Sequence, residues 1–161
     1  LFFKRHFFQI LCALFLALFF NACSLSFPYL WHKNENVSVQ NKLLNAQKKW
    51  RKTPYRLGGM SVSGADCSGF TQNIFRNDFG ISLARTTALQ MKSGAKVSKK
   101  NLRGGDLVFF KTGRGPNGLH VGIYISENNF LHLSTKGGAK IANLDNVYWK
   151  SRYIGARRYM R

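Results

Sequence analysis

Leu119-His120-Val121-Gly122-Ile123-Tyr124-Ile125 and Phe130-Leu131-His132-Leu133-Ser134 alternate with a period of two, and the residues between them, Ser126-Glu127-Asn128-Asn129, are turn formers. Successive side chains on a strand point to opposite faces. Val121, Ile123 and Ile125 therefore share one face, and His120, Gly122 and Tyr124 the other. In the second stretch Leu131 and Leu133 share a face, with Phe130, His132 and Ser134 on its reverse. The aliphatic faces belong on one side of a sheet, which sends both histidines to the other. A hairpin centred near Ser126 predicts His120 directly opposite His132, close enough to interact.

The segments around this hairpin extend the pattern. Leu107-Val108-Phe109-Phe110 is a strand of the fully buried type, with Phe109 and Phe110 expected in the core; Lys140–Leu144 and Tyr153–Tyr159 are further strand candidates. Upstream the period changes. Leu43, Leu44, Ala46 and Trp50 give helical spacing to Lys42–Arg51, and Thr53-Pro54 stops it. Gly58, Gly59 and Gly64 mark a loop. A helix is expected from Cys67 to about Asn77, with Asp66 as N-cap and Phe70, Ile74 and Phe75 on its apolar face. A shorter one fits Thr86–Ser93, with Gly94 just beyond its end. Helices first and strands later predict an α+β domain, its helices packed on one face of an antiparallel sheet.

The chain opens with a different signal. Lys4 and Arg5 precede an apolar run from Phe7 to Phe20, interrupted by Gln9 and followed by Asn21-Ala22-Cys23-Ser24. A basic start, a short apolar core and a small residue before a cut point describe a secretory signal over residues 1–22. The run is shorter than the roughly 20 residues of a comfortable membrane span. Ala22-Cys23 resembles a lipobox, with Phe20 where that pattern usually carries Leu. The resemblance implies a lipidated Cys23 at the mature N-terminus, and Ser24 resembles the residue of lipoproteins sorted to the outer membrane. The alternative is a plain signal peptide or anchor helix, with Cys23 incidental. Residues 23–41, polar and with Pro28, are expected to form a tether, and residues 42–161 the globular domain.

The net charge is +19, from 25 Lys and Arg against 6 Asp and Glu. Such a surface gathers anionic partners. No basic stripe and no nucleic-acid motif is visible, so the expected partners are anionic envelope polymer and lipid headgroups, with no nucleic acid.

Of Cys12, Cys23 and Cys67, only Cys67 lies in the expected domain, so no disulfide framework is built. Free cysteine is often core filler. Here Asp66, Ser68 and Gly69 flank it, which is not the composition of a core. Its place is the first turn of a helix, where backbone N–H groups carry partial positive charge and favour a thiolate. His120 and His132 supply a base and a group to orient it. Either histidine alone would be a half-exposed sheet residue; with Cys67 they make a nucleophile–base–orienter set. A structural zinc site wants four ligands with close pair spacing, and neither CxxC nor HxxxH is present. No metal and no cofactor is expected.

Asp66-Cys67-Ser68-Gly69-Phe70, Gly105-Asp106-Leu107-Val108-Phe109-Phe110 and His120-Val121-Gly122-Ile123-Tyr124 resemble, in this order, the signature segments of the NlpC/P60 cysteine peptidases. Tyr55-Arg56-Leu57-Gly58-Gly59 resembles the family's upstream segment, and Tyr148-Trp149 with Ala156-Arg157-Arg158 its usual ending. The departure is Ala84 in Leu83-Ala84-Arg85, where the family usually has Pro; it falls in a loop. The resemblance implies a papain-like fold and cleavage of peptidoglycan stem peptides through Cys67, His120 and His132, with Tyr55 as a candidate oxyanion helper. It leaves two bonds open, the D-alanyl–diaminopimelate cross-link and the γ-D-glutamyl–diaminopimelate bond. The short lipoprotein form resembles the murein endopeptidases of Gram-negative envelopes, which implies a lipid anchor facing the periplasm; a monomer is expected. A non-catalytic peptidoglycan-binding protein, or a thiol acyltransferase or amidase, are the alternatives on the same fold.

Overall fold

The structure is a computed structural model that describes residues 27–113 and 116–160. The signal segment and Cys23 lie outside the described residues. A compact unit runs from Ser38 to Arg161.

Helix α1 spans Phe27–Trp50 and so begins well before the expected Lys42. Residues 27–41, read from their polarity as a tether, are helical. Asn, Gln and Lys are compatible with a helix, and Pro28 falls in the first turn, where a missing N–H costs nothing. The buried stripe also starts earlier: Val39, Leu43, Ala46 and Trp50 are spaced by three and four residues and all face the core. Trp50 meets Phe70 edge to face, ring centroids 5.2 Å apart. Among the described residues no helix is long and apolar enough to cross a membrane.

A two-residue ribbon, β1 (Met60–Ser61) and β2 (Gly64–Ala65), leads into α2 (Cys67–Phe79). Asp66 caps α2 as expected, its carboxylate accepting the Gly69 N–H at 2.7 Å. Helix α3 (Thr87–Lys92) follows, capped by Thr86. The remaining strands are β3 (Ala95–Val97), β4 (Leu107–Lys111), β5 (Leu119–Ser126), β6 (Asn129–Leu133) and β7 (Ala139–Asn143). After the short helix α4 (Val147–Lys150) the chain returns as β8 (Tyr153–Arg158). They form one antiparallel sheet in the order β3-β8-β4-β5-β6-β7. The final strand thus inserts between β3 and β4. It is tied there by Arg158, which grips the buried Asp106 carboxylate at 2.7 Å and 2.8 Å. The α+β class is as expected from the sequence; the short α4, between β7 and β8 and on the other face of the sheet, departs from the expected order of helices first and strands later.

The sheet has two apolar faces. On the helix side, Leu107, Phe109, Val121, Ile123, Ile125, Leu131 and Leu133 pack with Leu43, Trp50, Phe70 and Ile74. On the other side, Val108, Phe110, Tyr124 and Phe130 pack with Trp149 and Tyr153. The hairpin faces follow the alternation, but the register differs from the expected one. Ser126 pairs with Asn129 across a tight turn whose residues Glu127 and Asn128 have φ of 50° and 62°. Tyr124, however, pairs with Phe130, so Ile125 is an extra residue on β5. Continued along the strands, this register sets Gly122, not His120, opposite His132. His120 is its diagonal neighbour, two residues on and still on the same face. A side chain at Gly122 would put its Cβ 2.6 Å from the Phe130 ring and 2.8 Å from the Leu131 carbonyl, so the close approach requires glycine.

If the folded unit begins before Lys42, Val39 contributes to it. A chain shortened to start at Lys42 is expected to be about 1–2 kcal/mol less stable than one starting at Ser38, the scale of burying a valine side chain. Chemical denaturation of the two forms measures this, and equal midpoints would show that Val39 adds nothing.

Candidate functional site

Tyr55 is placed beside the start of α2 by backbone bonds. The Arg56 N–H donates to the Ala65 carbonyl at 2.8 Å and the Ala65 N–H to the Pro54 carbonyl at 3.2 Å. The Tyr55 hydroxyl then lies 3.9 Å from Cys67 Sγ. Burial, and after it the neighbouring Cys67, push the Tyr55 phenol well above its usual range, so it keeps its proton as a donor. Thr87, at the start of α3, brings its hydroxyl 3.5 Å from the same sulfur.

Cys67 itself is fully buried. Its polar flanks predicted otherwise. They are buried too, because they satisfy one another. Asp66 Oδ1 accepts from the Gly69 N–H, the Ser68 hydroxyl at 3.0 Å and Arg85 Nη1 at 3.0 Å; Oδ2 accepts from the Gly58 N–H at 2.8 Å and Arg85 Nη2 at 2.7 Å. Burial pushes the Asp66 carboxyl up, but the bonds from Arg85 and from the Gly69 and Gly58 amides outweigh it, and the group ionises below its usual range. Gly69 is required by close packing, since a Cβ there would stand 2.1 Å from the Gly59 carbonyl oxygen. Arg85, which the sequence placed in a loop of little consequence, therefore holds the residue next to Cys67. A lone arginine ahead of a helix cap carries no signal of this. Gln90 is a second omission: it is buried and donates to the Ser68 and Ala84 carbonyls at 3.1 Å and 2.8 Å.

His120 and His132 come together on the far side of the hairpin, His120 Nε2 to His132 Nδ1 at 3.0 Å. Both are buried. Trp149 of α4 stacks on His120 at 5.7 Å and meets His132 edge on at 4.9 Å. Burial, then the charge of His132, drives His120 far below the ordinary imidazole range. Burial does the same to His132; a backbone hydrogen bond at Leu133 opposes it and the charge of Lys140 adds to it. Both rings are neutral at neutral pH. One nitrogen of the pair donates and the other accepts. Helix α2, whose first residue is Cys67, packs on β5, the strand that carries His120. Among the described residues no group of three or more His, Cys, Asp or Glu side chains is arranged to hold a metal ion.

Residues 52–158 match the model of the NlpC/P60 family. The chain belongs to the NlpC/P60 family. A Haemophilus influenzae protein named "probable endopeptidase" is 43% identical over 148 residues, covering 88% of this chain and 92% of that protein. An Escherichia coli K12 protein named "murein DD-endopeptidase MepS/murein LD-carboxypeptidase" is 46% identical over 125 residues, covering 78% of this chain and 65% of its own length. This chain therefore matches just under two thirds of that relative. Among solved structures, an NlpC/P60 family protein from Bacillus cereus superposes with a TM-score of 0.66 at 35% identity, over 76% of this chain and 40% of that one. The architecture of helices on an antiparallel sheet is that of the family.

Arg85→Gln leaves the buried Asp66 carboxylate without its cation and is expected to lower stability by about 1–3 kcal/mol. Because Asp66 ionises below its usual range, that contribution is present above about pH 4 and lost as the pH falls further. Urea titrations should show the variant's deficit shrinking from pH 7 to pH 3; a deficit independent of pH would rule out the charge pairing.

The histidine pair has the same sign but a different window. Unfolded imidazoles bind protons from about pH 6.5 downward while His120 and His132 stay neutral, so stability present above about pH 6.5 is lost as the pH drops below it. Replacing both with Asn should flatten the decline between about pH 6.5 and 4.5. An unchanged slope would mean the rings are protonated in the folded protein.

Proposed function

We propose that this protein is a peptidoglycan hydrolase, a thiol endopeptidase acting on stem peptides in the cell envelope, with Cys67 as nucleophile, His120 as base and His132 as its orienting partner. The observation that carries the site assignment is the buried, neutral His120–His132 pair on β5 and β6, the two hairpin strands against which the Cys67 helix packs. The endopeptidase names of relatives at 43% and 46% identity support the reaction class.

The geometry suits a neutral base rather than a resting imidazolium. With His120 Nε2–H donating to His132 Nδ1, the Nδ1 lone pair of His120 is available for the thiol proton. The sulfur bonds to the carbonyl carbon and an oxyanion forms. Tyr55, which keeps its hydroxyl proton 3.9 Å from the sulfur, is a side-chain donor placed to serve it. The C–N bond then breaks and the proton held on His120 passes to the departing amine. Water adds to the thioester, giving the carboxylic acid and restoring the thiol. Trp149, packed against both imidazoles, contributes to the burial that keeps the pair neutral. For location, the apolar run from Phe7 to Phe20 and the Ala22-Cys23 that follows it support a lipid anchor, with the enzyme at the outer membrane facing the periplasm.

Digestion of purified peptidoglycan by a soluble form starting at Ser24, beside Cys67→Ala, tests the reaction. Product masses should show a new stem-peptide amine with the wild-type enzyme and a loss of rate of at least about 10³-fold in the variant. Intact peptidoglycan from a folded wild-type protein would reject the peptidase.

A further inference from the structure

A pocket of about 310 Å³ opens directly on the histidine pair, lined by His120, His132, Trp149, Ser134, Thr135 and Lys136 among others. The proposed reaction says which half of the substrate enters it. His120 returns its proton to the departing amine, so the residue bearing that amine lies beside His120.

The charge of this pocket is one-sided. Lys136 lines it, and no acidic side chain does. Lys140 is the direct cross-strand partner of His132 and so faces the same side of the sheet. Three of the acidic groups of the folded unit are engaged elsewhere, Asp66 with Arg85, Asp106 with Arg158 and Asp145 with Lys99, and neither Asp78 nor Glu127 lines the pocket. Among the described residues no ion pair engages Lys136 or Lys140. Ser134 and Thr135 line the pocket with Lys136, and two hydroxyls with one ammonium are a set suited to a carboxylate.

Resting on the peptidase reading, we propose that this pocket is a carboxylate subsite in which Lys136 pairs with a free carboxylate on the carbon that bears the leaving amine. The two bonds left open by the sequence differ in this respect. In the D-alanyl–diaminopimelate cross-link the carbon bearing the leaving amine also bears a free carboxylate. A C-terminal D-alanine leaves with the same arrangement. In the γ-D-glutamyl–diaminopimelate bond the corresponding carboxyl is tied up in the next peptide bond and has no charge to offer. The pocket therefore selects cross-link cleavage and release of a terminal amino acid over cleavage at D-glutamate.

The test uses purified cross-linked muropeptide dimers in two forms, with the carboxyl beside the cross-link amine free or amidated, and the full chain as wild type, Lys136→Gln and Lys136→Arg. Lys136→Gln should raise KM for the free-acid dimer about tenfold, leave kcat within about twofold, and leave the amidated dimer unaffected. Lys136→Arg should retain most of the preference. Equal effects of Lys136→Gln on both dimers, or on neither, overturn the subsite. Binding of the same dimers to Cys67→Ala by calorimetry separates this from the reaction itself. Tighter binding of the free acid without turnover by wild type keeps the subsite and rejects the peptidase. Turnover with no preference in rate or binding does the reverse.

Discussion

The Asp66 carboxylate is the interaction on which the rest of the site depends. Its two oxygens accept five hydrogen bonds, from the Gly58 and Gly69 amides, the Ser68 hydroxyl and both terminal nitrogens of Arg85. These donors come from three separate stretches: the loop before β1, the first turn of α2 and the segment before α3. A buried carboxylate stays ionised only if such donors surround it. The requirement runs in both directions. The charge is tolerable because three segments converge, and the segments converge because the charge needs them. Cys67, next in sequence, inherits a fixed position from that convergence, as do Tyr55 and Thr87 on either side of its sulfur.

A second constraint acts on the histidines, and it is a matter of parity. Ser126 pairs with Asn129 at the turn. Carried along the hairpin unchanged, that pairing would set His132 opposite Ile123, whose side chain belongs to the helix-side core. Every side chain of β6 would then be on the wrong face. One extra residue, Ile125, moves the pairing to Tyr124 with Phe130 and returns His132 to the face of His120. The bulge and the turn are thus complementary. Neither alone brings the two imidazoles to 3.0 Å.

This explains which parts of the molecule were legible in the sequence. Periodicity fixes the face of a side chain, and the faces of His120, His132 and Leu131 are all readable. It does not fix register to better than two residues, because a shift of two preserves every face; hence His120 is diagonal to His132 and not opposite. The Asp66 cap was readable because capping is local. Arg85 was not, since its partner is nineteen positions away and nothing local marks it. The burial of Cys67 was misread for a related reason. Asp, Ser and Gly signal solvent when considered singly, and only their mutual hydrogen bonds make them buried. The polarity of residues 27–41 conceals the first half of helix α1, although Val39 already continues the stripe of Leu43, Ala46 and Trp50.

Burial of the imidazole pair also bears on how a thiol enzyme of this design begins its reaction. A resting thiolate–imidazolium pair requires the ring to hold a charge where Trp149 packs against it and burial disfavours that charge. The charge of Lys140 beside His132 acts in the same direction. A substrate carboxylate entering next to Lys136 would oppose both cations and make a proton on His120 less costly. Under the proposed mechanism, substrate binding and activation of the base would then be coupled through one electrostatic effect.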